Sequence, residues 1–252
     1  MENEIIYLIT FLIVMFQTIV GVGVLVLGTP IFLLLNYNII EIMNLLLPVS
    51  IVTSFINYIY LKFNKRKLKI KLDKEIKKNI ILLFIPGILF GLFLTSKLIN
   101  LINFQILVSI VIFSSLFIKL KFEDRINSLS LNYKKIILIM ISVIHGLSNS
   151  GGTLLTIFFS AFNKDKKNQS RYSITFYYLI FASVQYFIFL FIFKDRISFL
   201  YSYKIIFIIM LSIFFGTYIV NHISLNFFKK MIELLALFSA FFLLLNNFIT
   251  IN

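Results

Sequence analysis

The chain has 252 residues, 60% of them hydrophobic, with a mean hydropathy of +0.99, an apolar share well above that of a soluble domain. The net charge is +14, but the basic residues cluster in loops such as NKRKLKIKLDKEIKK at 64–78, where membrane proteins concentrate them on the cytoplasmic side, so nucleic acid is not an expected partner. Cysteine is absent and histidine occurs twice, which excludes disulfides, thiol relays and thiolate metal sites and leaves no expected metal, cofactor or catalytic set.

Reading from one charged residue to the next gives eight long charge-free runs: 5–40, 42–61, 79–96, 98–118, 136–163, 172–193, 205–228 and 234–252. A helical span needs about 20 apolar residues, so the expected fold is an all-α polytopic membrane protein. The N-terminus, MENEIIYLI, has acids where a cleavable signal carries a basic region, and no cleavage is expected. The first run, 5–40, is too long for one crossing, since a straight helix of that length would measure about 54 Å against a core of about 30 Å. It is also interrupted by GVGVLVLGTP at 21–30. The fifth run, 136–163, is over-long as well and carries SNSGG at 148–152. Each is either a long kinked crossing or a re-entrant hairpin of two half-helices.

These two runs open two similar halves, 1–126 and 127–252. GVGVLVLGTPIF at 21–32 aligns with SNSGGTLLTIFF at 148–159, pairing Gly21 with Ser148, Gly23 with Ser150 and Thr29 with Thr156. ILFGLFLTSK at 88–97 aligns with IFFGTYIVNH at 213–222, matching Gly91 to Gly216. Two pairs in the same order at nearly the same offset indicate a duplication. Loop charge arbitrates the topology. With eight crossings the two sides carry 17 and 7 Lys and Arg; with the first and fifth segments turning back, they carry 20 and 4. The positive-inside rule favours the second arrangement. Each half then has one broken segment and three crossings, and an odd number of crossings inverts the second half. Inverted repeats with discontinuous helices at the midplane are the architecture of many secondary transporters.

Irregular backbone survives at membrane depth only where protein or a water-filled cavity satisfies it. Thr29-Pro30 reads as a helix start, with Thr as N-cap and Pro at the first helical position, and Ser148–Gly152 with Thr153 reads as the equivalent turn and cap. Two helix N-termini would converge there as an anion site. The expected substrate contacts are Gly21, Gly23, Thr29, His145, Ser148, Asn149, Ser150, Gly151, Gly152 and Thr153. Gln17, Gln185 and Arg171 are the expected polar lining or gate. Gly91 and Gly216 are read as packing residues, and His222 as interfacial. No carboxylate lies mid-span, so coupling would run through His145 or through the substrate's own proton or charge.

At these residues the chain resembles the TauE/SafE family, the sulfite exporter or toluene sulfonate uptake permease family of bacterial membrane proteins, whose members carry a turn of the form GxGGGxxxxP once per half. GVGVLVLGTP keeps Gly21, Gly23 and Pro30 but has Val24 and Leu25 where further glycines are usual. SNSGGTLLTI keeps Gly151 and Gly152, with Ile157 in place of the proline, and PGILFGLF at 86–93 is also family-like. The resemblance implies a bacterial cytoplasmic-membrane permease for a small anion such as sulfite, a sulfonate or another small organic acid. Membrane lipid and that anion are the expected partners, and a homodimer is one open arrangement. In this reading one repeat rocks against the other. The alternatives are an anion channel, a non-transporting scaffold or biogenesis protein, and, more remotely, an intramembrane serine hydrolase built on Ser148 and His222.

Overall fold

The computed structural model describes residues 2–64, 74–126, 128–161, 167–194 and 203–224, with 227, 230, 234, 237, 238 and 240–245 beyond them. Among these residues all regular structure is helical: α1 (Glu2–Val20), α2 (Val24–Leu34), α3 (Ile39–Asn64), α4 (Lys74–Leu98), α5 (Phe104–Ile126), α6 (Leu131–Ser148), α7 (Gly152–Ala161), α8 (Lys167–Ile192) and α9 (Tyr203–His222). The described positions between 227 and 245 are helical as well. Five stretches are long and apolar enough to cross a membrane: Ile39–Phe63, Lys74–Leu98, Leu131–Ser148, Asn168–Ile192 and Tyr203–His222. Helix is the form this sequence must take in lipid, because a helix satisfies its own N–H and C=O groups without water.

Both faces of these helices carry large apolar residues, and the inward face is marked by the glycines and uncharged polar residues set among them. On α4 the buried positions include Ile76, Ile80, Phe84, Gly87, Ile88, Gly91, Leu92 and Thr95, a single stripe at helical spacing. Ile81, Leu82, Leu89, Phe90 and Phe93 point outward. The glycines set how closely the main chains approach. A Cβ on Gly91 would lie 2.9 Å from the Gly146 Cα, and one on Gly146 would lie 2.6 Å from the Ile88 carbonyl oxygen. On the other flank a Cβ on Gly216 of α9 would lie 2.8 Å from the Met15 carbonyl oxygen of α1. Gly91 and Gly216 are therefore packing residues, and two small-residue seams bind α4 to α6 and α1 to α9.

Helices α3 and α8 pack together between these seams, with the Tyr58 and Tyr172 rings stacked at 5.3 Å. The short helices α2 and α7 are the most enclosed elements. Every residue from Val24 to Pro30 is buried, as is every residue from Gly152 to Phe159. Chain reversal at the first break is direct: Gly28 of α2 lies against Ile13 of α1, so the segment folds back on itself. With 11 residues, α2 is about 16 Å long. It ends in the polar turn at Asn36–Asn38.

The breaks do not fall where the Thr-Pro signature suggests. Thr29 and Pro30 lie inside α2, whose N-cap is Gly23, and Thr153 is the second residue of α7, not its cap. The reversal is decided by backbone conformation. Gly21 has φ 95° and Asn149 has φ 56°, the left-handed region that glycine and asparagine tolerate best. Two hydrogen bonds recur around each. Gly21 N–H donates to Gln17 O at 2.7 Å and Asn149 N–H to His145 O at 2.7 Å, while Leu27 N–H reaches Gly23 O at 2.8 Å and Leu155 N–H reaches Gly151 O at 3.0 Å. In both cases the second-half residue lies one position further along the chain than the motif alignment places it. The local equivalents are thus Gly21 with Asn149, Gly23 with Gly151, and Gln17 with His145.

Replacing Gly91 or Gly146 by leucine forces the α4–α6 seam apart, an overpacking cost of about 1–3 kcal/mol or more. Thermal melting of the detergent-solubilised variants is expected to show a lowered midpoint, while Leu89→Ala on the outward face leaves it nearly unchanged.

Candidate functional site

A helix that stops inside a membrane leaves four N–H or four C=O groups without intrahelical partners, and the residues around the two breaks are arranged to meet them. Gln17 is fully buried. Its Oε1 accepts the Val24 N–H at 2.9 Å, capping α2, while its Nε2 donates to Ser50 O at 3.0 Å and Ser54 Oγ at 2.8 Å, anchoring the cap to α3. The freed Thr18 carbonyl of α1 accepts from the Arg171 guanidinium, which reaches across from α8. Arg171 is only 2% exposed, and among the described residues its Nε has no partner. Gly21 fits between α1 and α8: a Cβ there would lie 3.0 Å from Thr175 Oγ1 and 3.2 Å from the Arg171 carbonyl.

At the second break the corresponding carbonyl, Gly146 O, accepts from Thr95 Oγ1 at 3.1 Å, and the same hydroxyl reaches Leu147 O at 3.1 Å. A neutral hydroxyl from α4 here does what a cation from α8 does at the first break. Asn149 joins the breaks across the molecule. Its Nδ2 donates to Thr29 Oγ1 at 3.0 Å, and its Oδ1 accepts from Gln185 Nε2 at 3.1 Å. The N-terminus of α7 lies directly on that of α2, since a Cβ on Gly152 would meet Val26 Cγ2 at 2.9 Å, Val22 Cγ2 at 3.1 Å and the Tyr178 ring at 2.8 Å.

Several residues expected to contact substrate are instead occupied within the turn. Ser148 Oγ donates to Ile144 O at 2.7 Å and Ser150 Oγ to Ser148 O at 3.2 Å. Thr153 Oγ1 bonds Ser115 Oγ at 2.8 Å and lies 3.2 Å from Ser150 O. Their hydroxyls shape the second break and are not free donors. His222 is exposed, with Nδ1 2.8 Å from Tyr218 O, as an interfacial residue would be. The structure forms no dyad of it with buried Ser148.

Several of the buried groups that remain open lie on or against α8. His145 is fully buried, its ring stacked on Phe181 at 4.3 Å and 6.4 Å from the Tyr178 ring, and Gly151 is held against its Cβ. Neither ring nitrogen has a partner among the described residues, nor does Gln185 Oε1. The Tyr178 hydroxyl lies beside Ser50 and the Leu25 main chain without a well-aligned hydrogen bond. Tyr178, Phe181 and Gln185 share a face at helical spacing. Tyr178, Thr175 and Thr95 were not singled out by sequence reasoning; the only signal was a hydroxyl within an apolar run.

A multi-pass, all-helical bundle that encloses two abutting broken helices is an arrangement met among membrane transporters. The family model for the sulfite exporter TauE/SafE matches residues 6–243, and the chain belongs to that family of membrane transporters. No match is found among curated proteins or solved structures. In the first half Val24 and Leu25 depart from the glycine pattern, and Val24 gives its N–H to Gln17.

Gln17→Leu deprives the Val24 N–H of its acceptor and Ser54 of its partner. An unsatisfied buried polar group costs about 1–3 kcal/mol. The variant is expected to melt several degrees lower, and hydrogen exchange at the start of α2 is expected to rise more than at the start of α7.

Proposed function

We propose that the protein is a secondary carrier for a small anion of the sulfite, sulfonate or small organic acid class, held where the α2 and α7 N-termini meet. The observation that supports this reading most is their abutment at Gly152, Val22 and Val26, beside a buried set of polar groups without protein partners among the described residues. Helix N-termini supply N–H donors and the positive end of the dipole, which can replace an anion's hydration shell. Gly21, Gly23, Gly151 and Gly152 let the broken ends pack closely around the site, Thr29 and Asn149 hold the breaks together, and His145 and Gln185 line the site.

In this reading residues 1–126 and 127–252 are inverted repeats. Helices α3, α4 and α5 are the three crossings that invert the second half. The loops that then share a side hold 20 of the 24 Lys and Arg, which makes that side cytoplasmic in a bacterial membrane. Arg171 lies near the start of α8, between that side and the first break. Its bond to Thr18 O is a latch that an arriving anion can compete for, since a guanidinium prefers a charged oxyanion to a neutral carbonyl. A carrier fits better than an enzyme, because Ser148 is engaged within its own helix.

Uptake of labelled sulfite, taurine, sulfoacetate and acetate into proteoliposomes tests the proposal. Saturable flux of one of these anions is expected. Ser148→Ala should leave its KM within about twofold, since that hydroxyl makes a local bond of the kind that contributes little net energy. Arg171→Gln should reduce flux about tenfold or more, as loss of a charge-assisted contact does. Unsaturable flux would indicate a channel, and no flux under any ion gradient would favour a scaffold.

A further inference from the structure

We infer that the central site takes monoanions carrying their own hydrogen-bond donor, an O–H or N–H, and discriminates against bare dianions and donor-free isosteres. This deepens the carrier reading and rests on it. A pocket made only of backbone N–H groups and hydroxyl donors would suit any small anion, and a dianion best of all. Two of the groups left open at this site, Gln185 Oε1 and one His145 nitrogen, are not of that kind.

Gln185 is fully buried. Its Nε2 is committed to Asn149 Oδ1 at 3.1 Å, and Asn149 Nδ2 is in turn committed to Thr29 Oγ1 at 3.0 Å. In this arrangement the Gln185 Oε1, partnerless among the described residues, is left as an acceptor. An amide oxygen cannot donate, so it meets an anionic oxygen lone pair against lone pair. His145 adds a second acceptor independently. An uncharged imidazole presents one donor and one acceptor in either tautomer, and neither of its nitrogens has a partner among the described residues. That acceptor remains whichever way the Asn149–Gln185 amide pair is turned. The Tyr178 hydroxyl, in the same cluster, serves either role.

The site therefore has two chemically different sides. The half-helix N-termini supply donors and favour negative charge. Gln185 and His145, on the side formed by α8 and α6, require a donor. Buried polar atoms without partners are rare in native proteins, and a ligand or a water is what ordinarily completes them. A substrate that fills both sides places its charged oxygens toward the N-termini and its O–H or N–H toward Gln185. Sites built to bond a substrate hydroxyl reject the analogue lacking it strongly, because the site's own polar group is then left unpaired.

The test is equilibrium binding to the purified wild-type protein with two matched pairs. At mildly acidic pH, hydrogen sulfite is compared with methanesulfinate, which has a methyl in place of the hydroxyl. Sulfamate, a monoanion bearing N–H groups, is compared with methanesulfonate, which has a methyl in place of the amino group. In at least one pair the donor-bearing member is expected to bind about tenfold or more tightly, the scale at which a missing polar partner is felt. Whichever pair discriminates tells the O–H source from the N–H source. Raising the pH, which converts hydrogen sulfite to the dianion, should weaken its binding while that of methanesulfinate, a monoanion throughout, stays level. Gln185→Leu should narrow the preferred pair to within about threefold, with monodisperse elution confirming the fold. Equal affinity within both pairs, or tighter binding of the dianion, overturns the inference and leaves the carrier reading standing. Binding of none of the four overturns the anion site itself, and the inference with it.

Discussion

A helix that ends inside a hydrocarbon layer has no water to complete its terminal hydrogen bonds, and several polar side chains at the centre of this protein answer that constraint. Gln17 meets an N–H that α2 cannot satisfy internally, and Arg171 and Thr95 meet carbonyls that α1 and α6 leave behind. Ser50 and Ser54 are polar because Gln17 must itself be held. The breaks thus recruit residues from α3, α4 and α8, and the bundle is organised around two interruptions as much as around its crossings. Groups that remain open after this accounting, chiefly on His145 and Gln185, are those with no structural duty among the described residues.

How much of this was legible depended on the kind of signal. The all-helical, multi-pass fold follows from apolar runs that nothing else would accommodate, and the two interrupted segments follow from excess length. Gly91 and Gly216 were readable as packing residues because a glycine in an otherwise bulky span has few other uses. The position of the first break was misjudged at Thr29 and Pro30. The capping signature is a propensity, whereas the reversal is set by Gly21 in a left-handed conformation and by Gln17 reaching ahead along the chain to Val24. Nothing in the local pattern announces a glutamine as a cap for the next helix. Likewise Ser148, Ser150 and Thr153 looked like ligand donors because sequence shows a hydroxyl but not where it points. Their hydrogen bonds within the turn appear only in three dimensions.

The two breaks share backbone geometry yet differ in the side chains that complete it. At the equivalent carbonyls a buried cation serves one break and a neutral hydroxyl the other. At the equivalent positions Gln17 and His145 the contrast is reversed in consequence: the glutamine is consumed by structure, and the histidine is free of it. Similar main-chain frames have been fitted with unlike chemistry: Arg171 Nε and Thr175 Oγ1 are open near the first break, His145 and Gln185 Oε1 near the second.

The glycine seams bear on the mechanics of any motion. One seam joins α4, from the first half of the sequence, to α6 from the second; the other joins α9, from the second, to α1 from the first. Main chains in contact without intervening side chains leave little slack for sliding. If the two sequence halves swung apart as rigid bodies, both seams would have to unzip. Each seam thus ties a helix of one sequence half to a helix of the other, so the close main-chain packing resists a rigid-body separation of the halves.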